Sequence, residues 1–281
     1  MALQLNIATL TVASQAAWKR VKPVVVRDAV LLPAAGFLGI IVLWWIVALF
    51  NHDLMPTPPE ALVANLDYIL NPFYQRGPGD LGVGWLLLAS IRRVLLGFLL
   101  SALVAIPVGF LIGMSKQAMM ALNPVIQIFK PVSPLAWLPI ALAIFNLADP
   151  SAIFVIFVTS LWPTIINTAL GVQSVSKDYI DVARVLEMPR WRRITKIIWP
   201  ASLPYVFTGL RISLGIAWLV IVAVEMLTGG VGIGFFVWGE WNRLNLSSVF
   251  LAVLIIGLTG LLLDFALAQI EAWVTHRRKK A

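Results

Sequence analysis

Four ionisable side chains stand inside otherwise apolar stretches of this 281-residue chain: Lys130, Arg211, Glu225 and Asp264. Four scattered groups are too few for acid–base catalysis, which needs titratable groups within hydrogen-bond reach of one reacting atom. There is no cysteine, which removes disulfides, thiolate metal sites and iron–sulfur clusters. His52 and His276 lie outside the apolar runs, toward opposite ends of the chain, so no zinc or haem held between helices is expected. No glycine-rich loop ends in Lys-Ser or Lys-Thr, so the chain is not expected to bind nucleotide itself. What remains for the four charges is electrostatics in hydrocarbon. There an ionised group costs about 2.5–3.5 kcal/mol at midspan on insertion scales, which favours pairing or a polar path.

The medium follows from composition. Residues are 60% hydrophobic and 12% charged, against roughly 25% charged in soluble proteins, so the chain is read as an all-α integral membrane protein. Apolar runs at 30–50, 94–114, 124–146, 152–172, 205–228 and 249–269 predict six transmembrane helices; the first is about 31 Å long at 1.5 Å per residue, enough to cross a bilayer. The third holds Pro131, Pro134 and Pro139, which places it inside the bundle, where neighbours can satisfy the freed backbone groups. Basic residues set the orientation. Of the 21 Lys and Arg, fifteen fall in 1–28, at Lys116, in 177–204 and in the HRRKK tail, which makes those faces and both termini cytoplasmic. Residues 1–28 read as a basic, weakly amphipathic cytoplasmic arm without a cleaved signal, and 29–281 as one transmembrane domain. The formal charge of +8 is therefore an orientation signal, and nucleic acid is not an expected partner. Arg92 and Arg93 break the pattern on the outer side, with snorkelling to headgroups the only account available from sequence.

Depth relates the four charges to one another. Lys130 and Arg211 lie six residues, and Asp264 five, from the inner ends of their spans, all about 8–9 Å deep. Asp264 is expected to pair with Arg211, with Lys130 a third partner, an attraction for an anion, or a snorkelling side chain. Glu225, three residues from the outer end of the fifth span, is expected either to pair with a donor or to snorkel outward. Trp137 and Trp162, beside Pro139 and Pro163, either line a path or pack at kinks. Gly229, Gly230, Gly232 and Gly234 form a turn or a gate.

A polar, basic stretch between apolar runs is 177–204, KDYIDVARVLEMPRWRRITKIIWPASLP. Tyr179, Val182, Ala183 and Leu186 follow helical spacing, with Asp178, Asp181, Arg184 and Glu187 on the other side, so an amphipathic helix is expected. Pro189 should end it, and a second short helix should follow, closed by Pro200 and Pro204.

This stretch resembles the cytoplasmic loop of binding-protein-dependent ABC importer permeases, whose pattern is EAA, three residues, Gly, nine residues, I-x-L-P. Asp181, Val182 and Ala183 stand at EAA, and Ile197 to Pro200 at I-x-L-P. Asp replaces Glu, Trp199 replaces Leu, and Glu187 stands at the Gly position. Beyond the loop, KPVSPLAWLPIAL (130–142), FVIFVTSLWPTIINTALGV (154–172) and GLRISLGIAWLVIVAVEMLTGGVGIGFFVWGEWN (209–242) are similar to permeases of the nitrate, sulfonate and taurine group, above all nitrate permeases of cyanobacterial type, with bicarbonate permeases near relatives. The resemblance implies the type I ABC importer permease fold in the plasma (inner) membrane. It also implies an ATPase-coupling site at Tyr179, Asp181, Val182, Ala183, Arg184, Leu186 and Glu187, while Lys130, Trp137, Trp162, Arg211, Glu225 and Asp264 are the pathway or gating candidates from their own positions in the spans. Two ATPase subunits carrying ATP and Mg, a second copy of the chain, an extracytoplasmic substrate-binding protein or domain, and membrane lipid are the implied partners. The alternatives are a bicarbonate or sulfonate/taurine importer, or a stand-alone channel or secondary carrier. A carrier would more typically show repeated halves and several midplane charges, neither of which is evident.

Overall fold

The computed structural model describes residues 31–51, 55–77 and 79–279. The arm at 1–28 and the side chains of 276–281 lie outside the described residues. The chain divides into residues 1–64 and 65–281.

In the first unit, α1 (Leu31–Phe50) is long and apolar enough to cross a membrane. The Trp44 indole N–H donates to the Pro56 carbonyl at 3.1 Å. α2 (Pro58–Ala64) starts on a proline, which has no N–H to leave unpaired. The Thr57 backbone N–H donates to Glu60 Oε2 at 2.8 Å, half of a reciprocal capping box.

The second unit opens with α3 (Leu66–Leu70) and an antiparallel hairpin of β1 (Gln75–Gly77) and β2 (Asp80–Leu81). Arg76 bonds Asp67 at 2.6 Å, which holds that carboxyl below the usual carboxylate range. The helices that follow are α4 (Val83–Met114), α5 (Lys116–Phe129), a 3₁₀ turn (Pro134–Trp137), α6 (Leu138–Phe145) and α7 (Ala148–Gln173). After them come α8 (Lys177–Val185), α9 (Arg190–Arg193), a π turn (Ile194–Ile198), α10 (Trp199–Thr228), α11 (Ile233–Asn242) and α12 (Leu246–Lys279). Among the described residues five helices are long and apolar enough to cross a membrane, and α5 with Pro134–Phe145 makes a bent sixth.

Small residues set how closely these helices pack. Gly97, Ser101, Ala105, Gly109 and Gly113 recur every fourth residue of α4 and so form one row. A Cβ at Gly97 would strike Ile156, one at Gly109 Thr168, and one at Gly113 Val172, so α7 runs parallel to α4 in close contact. Lipid offers no hydrophobic drive for helices to associate, so close van der Waals fit of this kind supplies much of the attraction. α10 lies antiparallel on α7 by the same device, with Gly171 against Ser202 and Tyr205, and Gly209 against Pro163 and Asn167. Ser213 bridges this pair, donating to the Ser160 carbonyl at 2.7 Å and sharing a 2.8 Å hydrogen bond with Thr164. Val94, Phe98, Ile156, Leu214, Trp218 and Ile221 fill the core of this three-helix layer.

Several boundaries differ from the sequence expectation. The third span is two helices meeting at 94°, and it starts at Lys116, not at 124. The break falls at Ser133, held extended at ψ 134° because Pro134 follows it, while Pro139 sits harmlessly in the first turn of α6. The fourth span starts at Ala148, not at 152, so Asp149 and Pro150 belong to the first turn of α7. The second span starts at Val83, not at 94, so Arg92 and Arg93 lie inside α4. Pro200 and Pro204 do not close a second short helix, since helix runs from Arg190 to Thr228. The π turn makes this possible. Trp199 N–H reaches back five residues to the Ile194 carbonyl, widening the turn where Pro200 has no N–H to give.

Candidate functional site

α8 is the polar helix of the long loop, and its ends explain its length. Ser176 caps its start, accepting from the Asp178 N–H at 3.3 Å. Its end is a left-handed cap, not Pro189. Met188 N–H bonds the Ala183 carbonyl and Glu187 N–H the Arg184 carbonyl, both at 2.9 Å, with Glu187 at φ +49°. Glu187 therefore adopts the backbone conformation that glycine usually supplies at this position, and the corner survives the substitution. The expected apolar stripe is split. Ala183 is 1% exposed and packs into its own chain, whereas Tyr179, Val182 and Leu186 are well exposed on the other side. Arg184 and Asp181 pair on the surface at 2.9 Å.

Arg211 on α10 meets Asp264 on α12 in a bidentate pair, Nε to Oδ1 at 2.9 Å and Nη2 to Oδ2 at 2.7 Å. The two helices are antiparallel here, and Trp218 Nε1 donates to the Ile256 carbonyl at 3.0 Å further along the same seam. Lys130 does not join them. It is exposed at the end of α5, beside the 94° break, and forms no ion pair among the described residues.

Phe129 sits between the two tryptophans, stacked on Trp162 at 6.1 Å between centroids and tilted against Trp137 at 5.8 Å. The cluster joins α5, the 3₁₀ turn and α7. Trp137 Nε1 is buried there without a hydrogen-bond partner.

At the end of the bundle opposite α8, Glu225 is 2% exposed and its carboxylate is fully engaged. It accepts from Arg93 Nη1 at 2.7 Å, from Ser90 Oγ at 2.8 Å and from the Gly234 N–H at 3.0 Å. Arg93 extends the cluster, donating from Nη2 and Nε to Asp149 at 2.6 and 3.0 Å and from Nη1 to the Val231 carbonyl at 2.6 Å. Arg92 holds the other Asp149 oxygen at 2.9 Å. One guanidinium thus joins α4, α7, α10 and the 229–232 loop. The glycines of that loop and of the first turn of α11 have separate tasks. Gly229 and Gly230 take positive φ, +75° and +92°, to make the turn, while a Cβ on Gly232 would overlap the Glu225 carboxylate and one on Gly234 the Val222 carbonyl.

Sequence reasoning named Glu225 but missed Ser90, Arg93 and Asp149. The signal was the adjacent arginines on the outer side, where positive charge is not expected unless something holds it. Arg93 does not snorkel, being buried on its two carboxylates.

Comparison with known proteins adds to this geometry. Residues 105–276 match the family described as binding-protein-dependent transport system inner membrane component. The chain is 45% identical over 251 residues to the nitrate import permease protein NrtB of Synechocystis sp., covering 89% of this chain and 91% of the relative. It is 43% identical over 250 residues to the bicarbonate transport system permease protein CmpB of Synechococcus elongatus, covering 88% and 90%. Among solved structures, an inward-facing conformation of the MetNI methionine ABC transporter superposes with a TM-score of 0.60 at 15% identity, covering 66% of this chain and 93% of that one.

Proposed function

Because the chain belongs to the family of binding-protein-dependent transport system inner membrane components, and is thus a multi-pass permease subunit of an ABC importer, we propose that it forms the path for nitrate or nitrite across the plasma (inner) membrane. Two copies enclose the path, an extracytoplasmic binding protein or domain delivers the anion, and two ATPase subunits hold the ATP and Mg. The chain itself performs no covalent chemistry.

The observation that carries this reading is the orientation of α8. Its side chains Tyr179, Val182 and Leu186 point away from their own chain while Ala183 anchors the helix from behind. An apolar stripe on a short helix, held by caps at both ends and left uncovered, suits the groove of a partner protein. Motion imposed on α8 passes the Glu187 corner into the continuous Arg190–Thr228 helix, and from α10 through the Arg211–Asp264 pair into α12. At the other end the same α10 carries Glu225, so one rigid helix links the docking side to the Arg93 cluster.

Nitrate is favoured over the wider group by the 45% identity to a nitrate permease across nine-tenths of both chains. Bicarbonate is the second reading, carried by the 43% identical relative; both anions are planar, trigonal and singly charged. Uptake of labelled nitrate into vesicles holding the complete complex tests the assignment, with nitrite, bicarbonate, taurine and an alkanesulfonate as competitors. ATP-dependent accumulation blocked by nitrite but not by bicarbonate is the expected result. Uptake without ATP would instead make the chain a channel or carrier.

A further inference from the structure

A cavity of about 310 Å³ lies where α4 ends and the Arg190–Thr228 helix begins, walled by Met114, Ile180, Ile194 and Ile198 and reached by Arg190 and Arg193. The Nε of Arg193 is buried and has no hydrogen-bond partner. Buried polar groups in native proteins are almost always paired, so an orphaned guanidinium N–H in a cavity wall calls for an acceptor from outside the chain. A second cavity, about 740 Å³, shares Met114, Ile180 and Ile198 with the first and continues between α4, α5 and α7 along Met119 and Val172, with Lys116 and Lys177 at its lining. Among the described residues no Asp or Glu lines either space.

The ligand chemistry this arrangement recognises is an anionic phosphate attached to an apolar body. We propose that the two adjoining cavities hold an anionic phospholipid of the leaflet on the α8 side, with its phosphate accepting from the Arg193 guanidinium beside Arg190 and an acyl chain in the larger space. A free inorganic anion would satisfy the arginine but leave the isoleucine and methionine walls wet. A phospholipid satisfies both. Its position also fits, since α4 and the Arg190–Thr228 helix are long and apolar enough to cross a membrane and their junction lies on the basic face that sequence orients toward anionic lipid. The lipid would tie α8, through Ile180, to the end of α4 and stiffen the link between the loop and the bundle.

The test is a count of phosphatidylglycerol retained by the purified permease in native mass spectrometry, paired with ATP hydrolysis by the full complex in nanodiscs of phosphatidylcholine with and without phosphatidylglycerol. The lipid count is read on this chain itself and stands whichever anion is transported. The expected result is one tightly held phosphatidylglycerol per chain, with Arg193→Gln weakening retention about fivefold. Arg192→Gln, an exposed neighbour outside both linings, should leave it unchanged. If Arg193→Gln fails to assemble, Ile197→Trp, which fills the smaller cavity, should lose the lipid instead. Hydrolysis should rise with phosphatidylglycerol in the wild type and need more of it in the variant. Equal retention by the wild type and the cavity variants would overturn the proposal, as would equal losses from Arg192→Gln and Arg193→Gln. Full stimulation by inorganic phosphate in phosphatidylcholine alone would assign the cavity to a free anion and overturn the lipid.

Discussion

Arg211 and Asp264 face each other across the α10–α12 seam in a two-pronged ion pair, with both hydrogen bonds at 2.9 Å or less. Its partners are 53 residues apart, and no other ion pair joins these two spans among the described residues. Such a pair removes two penalties at once, because either charge alone would face hydrocarbon.

Charge reversal tests its role. Arg211→Asp and Asp264→Arg should each lower ATP-driven uptake roughly tenfold, the equivalent of about 1.4 kcal/mol. The double reversal should restore most of it. Uptake by the double variant no better than by the singles would remove the pair from the transmission path.

The Arg93 cluster should be unequal under mutation. Arg93→Ala leaves Glu225 buried without its cation, and breaking a buried pair in this way costs about 3–5 kcal/mol. Glu225→Gln should cost less, since Arg93 keeps Asp149 and the amide can still accept from Ser90 and Gly234. Thermal unfolding in detergent should rank them in that order, and Gly232→Ala should also destabilise, by pushing its Cβ into Glu225. A more stable Arg93→Ala than Glu225→Gln would contradict the geometry.

On α8, the two faces predict two phenotypes. Val182→Asp and Leu186→Asp change exposed side chains, so they should spare folding and membrane insertion yet abolish copurification with the ATPase subunits. Ala183→Glu should also abolish uptake, but by displacing α8 from its own chain, which protease sensitivity of the 177–204 loop would report. Normal ATPase binding by Leu186→Asp would rule out this face for docking.

Glu187 makes a smaller, signed prediction. A non-glycine residue in the left-handed region costs about 1 kcal/mol, and glycine gives back part of that gain through its freer unfolded chain. Glu187→Gly should therefore stabilise the loop by a few tenths of a kcal/mol, and Glu187→Val should destabilise it. Hydrogen exchange at the Met188 amide, which bonds Ala183 through this cap, measures both.

How these elements were foreseen differs from residue to residue. Glu187 was visible as a departure from the loop pattern, but whether the corner survived depended on a backbone angle that only neighbouring hydrogen bonds could enforce. Lys130 does not become a third partner of Arg211 and Asp264, because counting residues along a span presumes a straight axis, and the chain turns by 94° three residues after it.

By itself, the sequence determined what free energy of transfer and local chemistry can decide. Long apolar runs place the spans, because unpaired peptide groups cannot remain in lipid. Basic loops orient them, helical spacing marks α8 as amphipathic, and matched depth brings Arg211 to Asp264. The tertiary structure decided what depends on neighbours distant in sequence. It turned the α8 stripe so that Ala183 faces in and Tyr179, Val182 and Leu186 face out. It also gathered Ser90, Arg93, Asp149 and Glu225 from three helices into one hydrogen-bonded cluster. The physical reason is that side-chain pairing across helices is set by rotation and register. The small-residue row of α4, with Gly171 and Gly209 at the contact of α7 and α10, fixes both by letting the backbones approach, and no run of hydropathy records either.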